Sequence, residues 1–351
     1  MKKMNLNIQG MRGICAMMVF WGHVLMAYRI GWIQENQHNP LFLLMDGRAA
    51  VVFFFMLSGY FYYSPNITLR KYTSTIIKRV VRITPPYLLT IMIGTILCNL
   101  YLERSLSPGD YVTDWFADFW FEPVTLGNFI QNANIMFWEG ESKALINPVS
   151  WYLKVDLRMM IEIPIIVFLL NKTRWWLAPI LIILSFVTLS KLTLATFLFG
   201  ATIHRYQGVI ASFLSKRAVY VWVLVAAGLF LWDLPNMTFV GCYLDKGDEI
   251  CGLFRTLGVA MLLAVFSTRS DIPVLSSKIL QNLGKISYEF YIVHFIVLLA
   301  LAPFVSSTFA FICISFVISL LVSAYVQKAN SWLSSKILNL KIITNIYETN
   351  K

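Results

Sequence analysis

The apolar positions of this chain do not alternate; they come in long runs. Ten stretches approach the ~20 residues that carry a helix across a bilayer. They lie near 8–28, 41–63, 84–102, 147–170, 175–190, 192–206, 218–233, 252–268, 284–302 and 308–327. The pattern predicts an all-α polytopic integral membrane protein of about ten transmembrane helices. The fifth and sixth runs are short, with only Ser190-Lys191 between them.

The polar segments between the runs alternate in sign. Segment 64–83 carries Arg70, Lys71, Lys78, Arg79 and Arg82, and 171–174 carries Lys172 and Arg174. Arg205, Lys216 and Arg217 follow in 204–217, then Arg269, Lys278 and Lys285 in 269–285, and Lys328, Lys336, Lys341 and Lys351 at the end. The intervening segments are acidic: 103–146 holds Glu103, Asp110, Asp114, Asp118, Glu122, Glu139 and Glu141, and 233–251 holds Asp233, Asp245, Asp248 and Glu249. Lys and Arg are retained on the cytoplasmic side, so both termini are expected in the cytoplasm, which requires an even number of helices. The expected organisation is one membrane-embedded domain over 1–332 and a short cytoplasmic tail over 333–351.

Composition agrees. Of 351 residues 58% are hydrophobic and 13% charged, and the mean hydropathy is +0.66, which excludes an ordinary soluble domain. A net charge of +11 would suggest nucleic acid in a soluble protein; here the positive-inside bias accounts for it. The start, MKKMNLNIQGMRG, has the charged beginning of a signal peptide, but Arg12 interrupts the apolar run and no small-residue cleavage site follows, so the first helix is expected to be retained. No internal repeat is visible. The five cysteines form no CxxC pair; Cys242 and Cys251 flank an external segment and are the one candidate disulfide. His23, His38, His204 and His294 show no metal-ligand spacing, so no metal is expected.

Candidate chemistry sits where ionisable residues interrupt apolar runs, because such groups are costly in a membrane. In IQGMRGICAMMVFWGHVLMAY, Arg12 and His23 lie about 16 Å apart along a helix, roughly half the apolar thickness. His23 is either a buried functional group or a bond to a neighbouring helix; Arg12 is either a rim group or one that snorkels to lipid phosphate. Lys78-Arg79-Val80-Val81-Arg82 stands just before Pro85-Pro86, taken as the start of the third helix. Arg79 and Arg82, three apart, share a helical face and suit either a pyrophosphate or nucleotide phosphate or anionic lipid. Ser58-Gly59 permits close approach of a helix or a substrate chain. In Val149-Ser150-Trp151-Tyr152-Leu153-Lys154-Val155-Asp156 the carboxylate comes, by counting from the external side, to the depth of His23. It would orient that imidazole as a base, or pair with Lys154 or Arg158. Tyr288, Glu289, Tyr291 and His294 place further polar groups in the ninth run. Segment 103–146 adds Trp115, Phe116, Phe119, Trp120, Phe121 and Trp138, suited either to stacking on sugar rings or to lying in the membrane interface.

Taken together these stretches resemble acyltransferase family 3, the integral membrane acyltransferases. Arg12 and His23 satisfy its Arg, ten residues, His pattern. Phe54-Phe55-Met56-Leu57-Ser58-Gly59-Tyr60 resembles its FF-x-x-SG-F stretch, and Arg79-Val80-Val81-Arg82-Ile83-Thr84-Pro85-Pro86-Tyr87 its R-x-x-R-I-x-P-x-Y stretch. Trp151 to Asp156, with Pro164 beyond, resembles W-S-L-x-V-E, and Ile286-Ser287-Tyr288 with Tyr291 and His294 resembles I-S-Y-x-x-Y-x-x-H. Asp156 departs from the usual Glu, Tyr152 from a Ser, Arg158 from a Gln and Tyr60 from a Phe.

The resemblance implies O-acylation, usually O-acetylation, of an extracytoplasmic glycan such as O-antigen or another lipid-linked polysaccharide, with cytoplasmic acetyl-CoA as acyl donor, in the bacterial inner membrane. It implies His23 as base, or as the site of an acyl-His intermediate, with Asp156 orienting it. Arg12, Arg79 and Arg82 would hold the donor; Ser58, Trp151, Tyr288 and His294 would face the substrates. The length resembles the stand-alone type without an esterase-like domain. The competing class is a proton-coupled transporter or flippase, against which the absence of an internal repeat counts.

Overall fold

The computed structural model describes residues 5–30, 39–66, 68–137, 140, 144–172, 177–187, 192–237, 249–269 and 272–339. The helices are α1 (Leu6–Ala27), α2 (Gly47–Tyr62), α3 (Leu69–Glu103), α4 (Asp114–Ala117), α5 (Leu126–Ala133), α6 (Trp151–Lys172), α7 (Leu177–Val187), α8 (Leu192–Arg205), α9 (Gln207–Ser215), α10 (Ala218–Asp233), α11 (Glu249–Thr268), α12 (Lys278–Leu301) and α13 (Thr308–Leu338). No strand forms among the described residues beyond an isolated bridge between Tyr28 and Val112.

Every expected span has a helix in it. Six helical stretches among the described residues are long and apolar enough to cross a membrane: Leu6–Ala27, Arg70–Glu103, Ala218–Asn236, Glu249–Thr268, Lys278–Leu301 and Thr308–Leu338. This is an all-α, multi-pass membrane protein. The other four runs are shorter or more charged. α2, α7 and α8 have 16, 11 and 14 residues, and α6 carries Lys154, Asp156, Arg158 and Glu162. α13 continues to Leu338, through position 333 where the tail was expected to begin. Cys251 is buried in α11; Cys242 and His38 lie outside the described residues, and the disulfide expectation with them.

The chain forms two compact units. The first draws on Met1–Gly22, Gly31–Ile67 and Met159–Lys285. Its helices cross at small residues, as membrane helices do when backbones must approach. A Cβ on Gly59 of α2 would lie 2.0 Å from the Phe197 carbonyl oxygen, and one on Gly200 of α8 would lie 1.9 Å from that of Met56. Arg255 Nε donates to Asp46 Oδ2 at 2.8 Å, and both side chains are buried. Asp46 also caps α2, its carboxylate accepting from the Ala49 amide.

The second unit draws on His23–Ile30, Thr68–Arg158 and Ile286–Lys351. α3 begins at Leu69, where the Thr68 hydroxyl accepts from the Lys71 amide. The basic cluster is therefore helical, and Pro85-Pro86 sit inside the helix rather than at its start. Interior prolines leave the carbonyls four residues earlier without their helical donors; here those are Val81 and Arg82. α13 meets both: Ser334 Oγ donates to the Val81 oxygen at 3.2 Å and Asn330 Nδ2 to that of Arg82 at 2.9 Å. α13 thus supplies a donor to each carbonyl that the prolines leave open.

Residues 145–150 run into the interior before α6 starts, and all six are buried. This stretch is irregular up to a single 3-10 turn at Pro148–Ser150, and irregular backbone in the interior needs partners from the protein. Trp120 Nε1 donates to the Ile146 oxygen at 2.9 Å, and the Ile146 amide donates to Asn132 Oδ1 at 3.0 Å. Tyr291 OH donates to the Val149 oxygen at 2.9 Å. Asn147 Nδ2 donates to that of Ile292 at 2.8 Å. α6 therefore starts from a buried stretch, with Tyr152 and Leu153 buried in its first turn.

Candidate active site

His23 lies in the last turns of α1, partly exposed. The end of that helix is tied to the 111–114 segment: the Thr113 amide donates to the Ala27 oxygen at 2.9 Å, and the Arg29 amide to the Tyr111 oxygen at 3.0 Å. The Tyr28 hydroxyl donates to the Val305 carbonyl. These bonds hold the His23 backbone within the second unit.

The imidazole meets another imidazole. His23 Nδ1 is 2.9 Å from His294 Nε2, and the rings are near-parallel with centroids 5.1 Å apart. His294 is fully buried, and its Nδ1 is 3.0 Å from the Phe290 carbonyl oxygen, one helical turn earlier in α12. A carbonyl only accepts, so His294 Nδ1 carries the hydrogen; in the neutral ring Nε2 is then an acceptor. His23 Nδ1 therefore donates to it, and the lone pair of His23 is on Nε2. The edge of Phe295 and the parallel face of Trp115 flank the His23 ring, at centroid distances of 5.0 and 6.4 Å.

Asp156 is not the partner of His23. It is buried, and Arg79 Nη2 donates to its Oδ1 at 2.9 Å and its Oδ2 at 2.7 Å. The expected His–Asp pair assumed that α6 starts at the external surface. Because 145–150 already descend through the interior, Asp156 reaches the basic part of α3 instead. Arg79 and Arg82 consequently have different surroundings: Arg79 is engaged by a buried carboxylate, and Arg82 is exposed.

The other sequence candidates divide between the units. Tyr288 OH donates to the Ile83 oxygen at 2.8 Å, beside the prolines of α3. Its neighbour Glu289 is buried, and Asn330 Nδ2 donates to Glu289 Oε1 at 3.2 Å. Tyr288 is six residues before His294 on α12, about 9 Å along the axis. The second unit thus carries a polar layer (Arg79, Asp156, Tyr288, Glu289, Asn330) a turn and a half from the histidine pair on α12. Trp151 is 40% exposed at the start of α6. Ser58 is buried in α2 of the first unit, where Gly59 serves the crossing with α8. Arg12 is also in the first unit, half-buried on α1. Arg158 Nε donates to the Met136 oxygen at 2.9 Å. The aromatic segment 103–146 forms no open stacking platform at Phe116 and Phe119, which are buried and packed against Phe295. Trp138 lies outside the described residues. No group of three or more His, Cys, Asp or Glu suited to a metal occurs among the described residues.

Phe295, the Phe290 carbonyl and Asn330 were not singled out in sequence. Trp115 was named as an aromatic of 103–146; nothing local marked these three.

The chain is a multi-pass helical membrane protein whose second unit sets a partly exposed imidazole against a buried one. A family model described as an acyltransferase domain matches residues 5–328, and the chain belongs to that family, the acyltransferase family 3 whose motifs it carries. No curated protein and no solved structure matches it. The protein is a membrane acyltransferase.

Proposed function

We propose that this acyltransferase moves an acetyl group from acetyl-CoA to a hydroxyl of an extracytoplasmic glycan, an O-antigen or similar lipid-linked polysaccharide, in the bacterial inner membrane. The observation that carries the chemistry is the bare Nε2 of a partly exposed His23, whose other nitrogen donates to buried His294. A general base needs an available lone pair and a fixed ring. His23 Nε2 takes the proton of the acceptor hydroxyl while the oxygen attacks the thioester carbonyl. The carbon–sulfur bond then breaks, and the proton passes from His23 to the departing CoA sulfur.

The exposed guanidinium of Arg82 is the nucleotide contact of the second unit, since a phosphate favours a planar fork with open donors. Arg79 supports it indirectly, through Asp156. Arg12 keeps the donor role that family membership suggests, and Arg12→Ala tests it separately. Trp151 and Tyr288 are proposed to face the substrates. Ser58 is proposed to act through the α2–α8 crossing.

The test is transfer of radiolabel from [¹⁴C]acetyl-CoA to the glycan fraction of membranes containing the protein. His23→Ala and His23→Gln are expected to abolish transfer at unchanged protein level. Transfer at the parental rate in either variant removes His23 from the reaction.

A further inference from the structure

The pair of imidazoles has a direction. The Phe290 carbonyl can only accept, so it holds the hydrogen of His294 on Nδ1; His294 Nε2 can then only accept while neutral, and it holds the hydrogen of His23 on Nδ1. An acceptor at this place usually belongs to a carboxylate, which orients the base and stabilises the imidazolium. Among the described residues His23 has no carboxylate partner. We propose that His294 is a positioning residue that takes the carboxylate's place: it fixes Nε2 as the basic nitrogen of His23 and shares the proton that His23 takes up.

The proton balance is closed within the pair. When the acceptor proton arrives on His23 Nε2, the Nδ1 proton can move along the 2.9 Å bond to His294 Nε2. His294 then carries the positive charge, its Nδ1–H still on the Phe290 oxygen, and His23 is neutral with hydrogen on Nε2. That hydrogen leaves with the thiolate of CoA, and the shared proton returns to His23 Nδ1. One charge is spread over two rings joined by a hydrogen bond. Phe295 and Trp115 flank His23 and keep water from competing for its Nδ1.

Side-chain length makes this specific. A glutamine at 294 places its amide oxygen where Nε2 stands and still accepts from His23. Asparagine reaches only to the Nδ1 position, and leucine accepts nothing.

The experiment uses the full chain labelled with ¹⁵N-histidine in lipid bilayers. The chain has four histidines, so each signal is assigned by single substitution. Wild-type His23 is expected to show a protonated Nδ1 and a bare Nε2. His294→Leu and His294→Asn should release it toward the opposite tautomer, and His294→Gln should retain it. The activity arm rests on the transferase reading. With acetyl-CoA as donor, His294→Leu should lower kcat by about two to four orders of magnitude, the range that general acid–base catalysis contributes, with KM for acetyl-CoA unchanged. His294→Gln should recover to within about tenfold. A wild-type His23 with a bare Nδ1 overturns the inference without any variant, and a tautomer indifferent to position 294 overturns it too. Tautomer control without acetyl transfer by the wild type leaves the relay standing and removes the transferase reading. Parental kcat in His294→Leu does the reverse.

Discussion

Two arginines three residues apart on α3 look interchangeable on paper and are not in the folded chain. Arg79 holds Asp156, whose side chain is 2% exposed; Arg82 faces outward. Removing one partner of a buried pair strands the other charge, which costs about 3–5 kcal/mol. Arg79→Ala is therefore expected to lower the melting temperature in detergent, and Arg79→Ala with Asp156→Ala to recover part of it. Arg82→Ala should leave the melting temperature alone and weaken acetyl-CoA use by one to two decades, the loss of a charge-assisted contact worth about 1.5–3 kcal/mol. Arg82→Lys should restore only part, lacking the bidentate fork. Equal behaviour of the two alanine variants in both assays would remove this distinction.

Among the elements, α3 and α13 carry the clearest dependence. Pro85 and Pro86 open two carbonyls in α3, and Ser334 and Asn330 of α13 donate to them. Asn330→Leu leaves the Arg82 carbonyl without this donor and removes a bond to Glu289, at an expected cost of about 1–3 kcal/mol. If the prolines create the need for Asn330, then Pro86→Ala, which returns an amide donor to the Arg82 carbonyl, should reduce the cost of Asn330→Leu in a double-mutant cycle read by thermal unfolding. A cycle with no coupling would separate the prolines from the docking of α13. In the first unit, Gly59→Val and Gly200→Val should sharply reduce the amount of folded protein in membranes, because each Cβ falls on a backbone oxygen of the opposite helix.

At the scale of the whole molecule, the alternating charge of the loops is expected to put the basic loops in the cytoplasm. In sealed right-side-out vesicles of a cysteine-free background, Leu126→Cys, at an exposed position of α5, should react with an impermeant thiol reagent. Lys216→Cys, at the exposed end of α9, should react only after the vesicle is opened. Acetyl-CoA should likewise serve as donor only from the lumen. Labelling of Lys216→Cys from outside would invert the orientation and leave cytoplasmic acetyl-CoA on the wrong side of the basic residues.

The sequence by itself determined the class of the molecule, its helices and the family. Long apolar runs can satisfy their backbone in a bilayer only as helices, and five spaced motifs survive without any knowledge of contacts. Single-residue candidates were also legible, since His23, Asp156 and His294 each interrupt an apolar run where a polar group is costly, and Arg79 stands in a basic cluster between two runs. Pairing was not legible. Counting depth along helices assumed that every helix starts at the membrane surface, and the buried 145–150 stretch breaks that assumption: Asp156 comes to Arg79 and His23 to His294. The same holds for Pro85-Pro86, which read as a helix start but lie within α3 because α13, some 250 residues later in the chain, supplies the donors they lack. Which side chain meets which is settled by partners distant in sequence, and only the tertiary structure decides it.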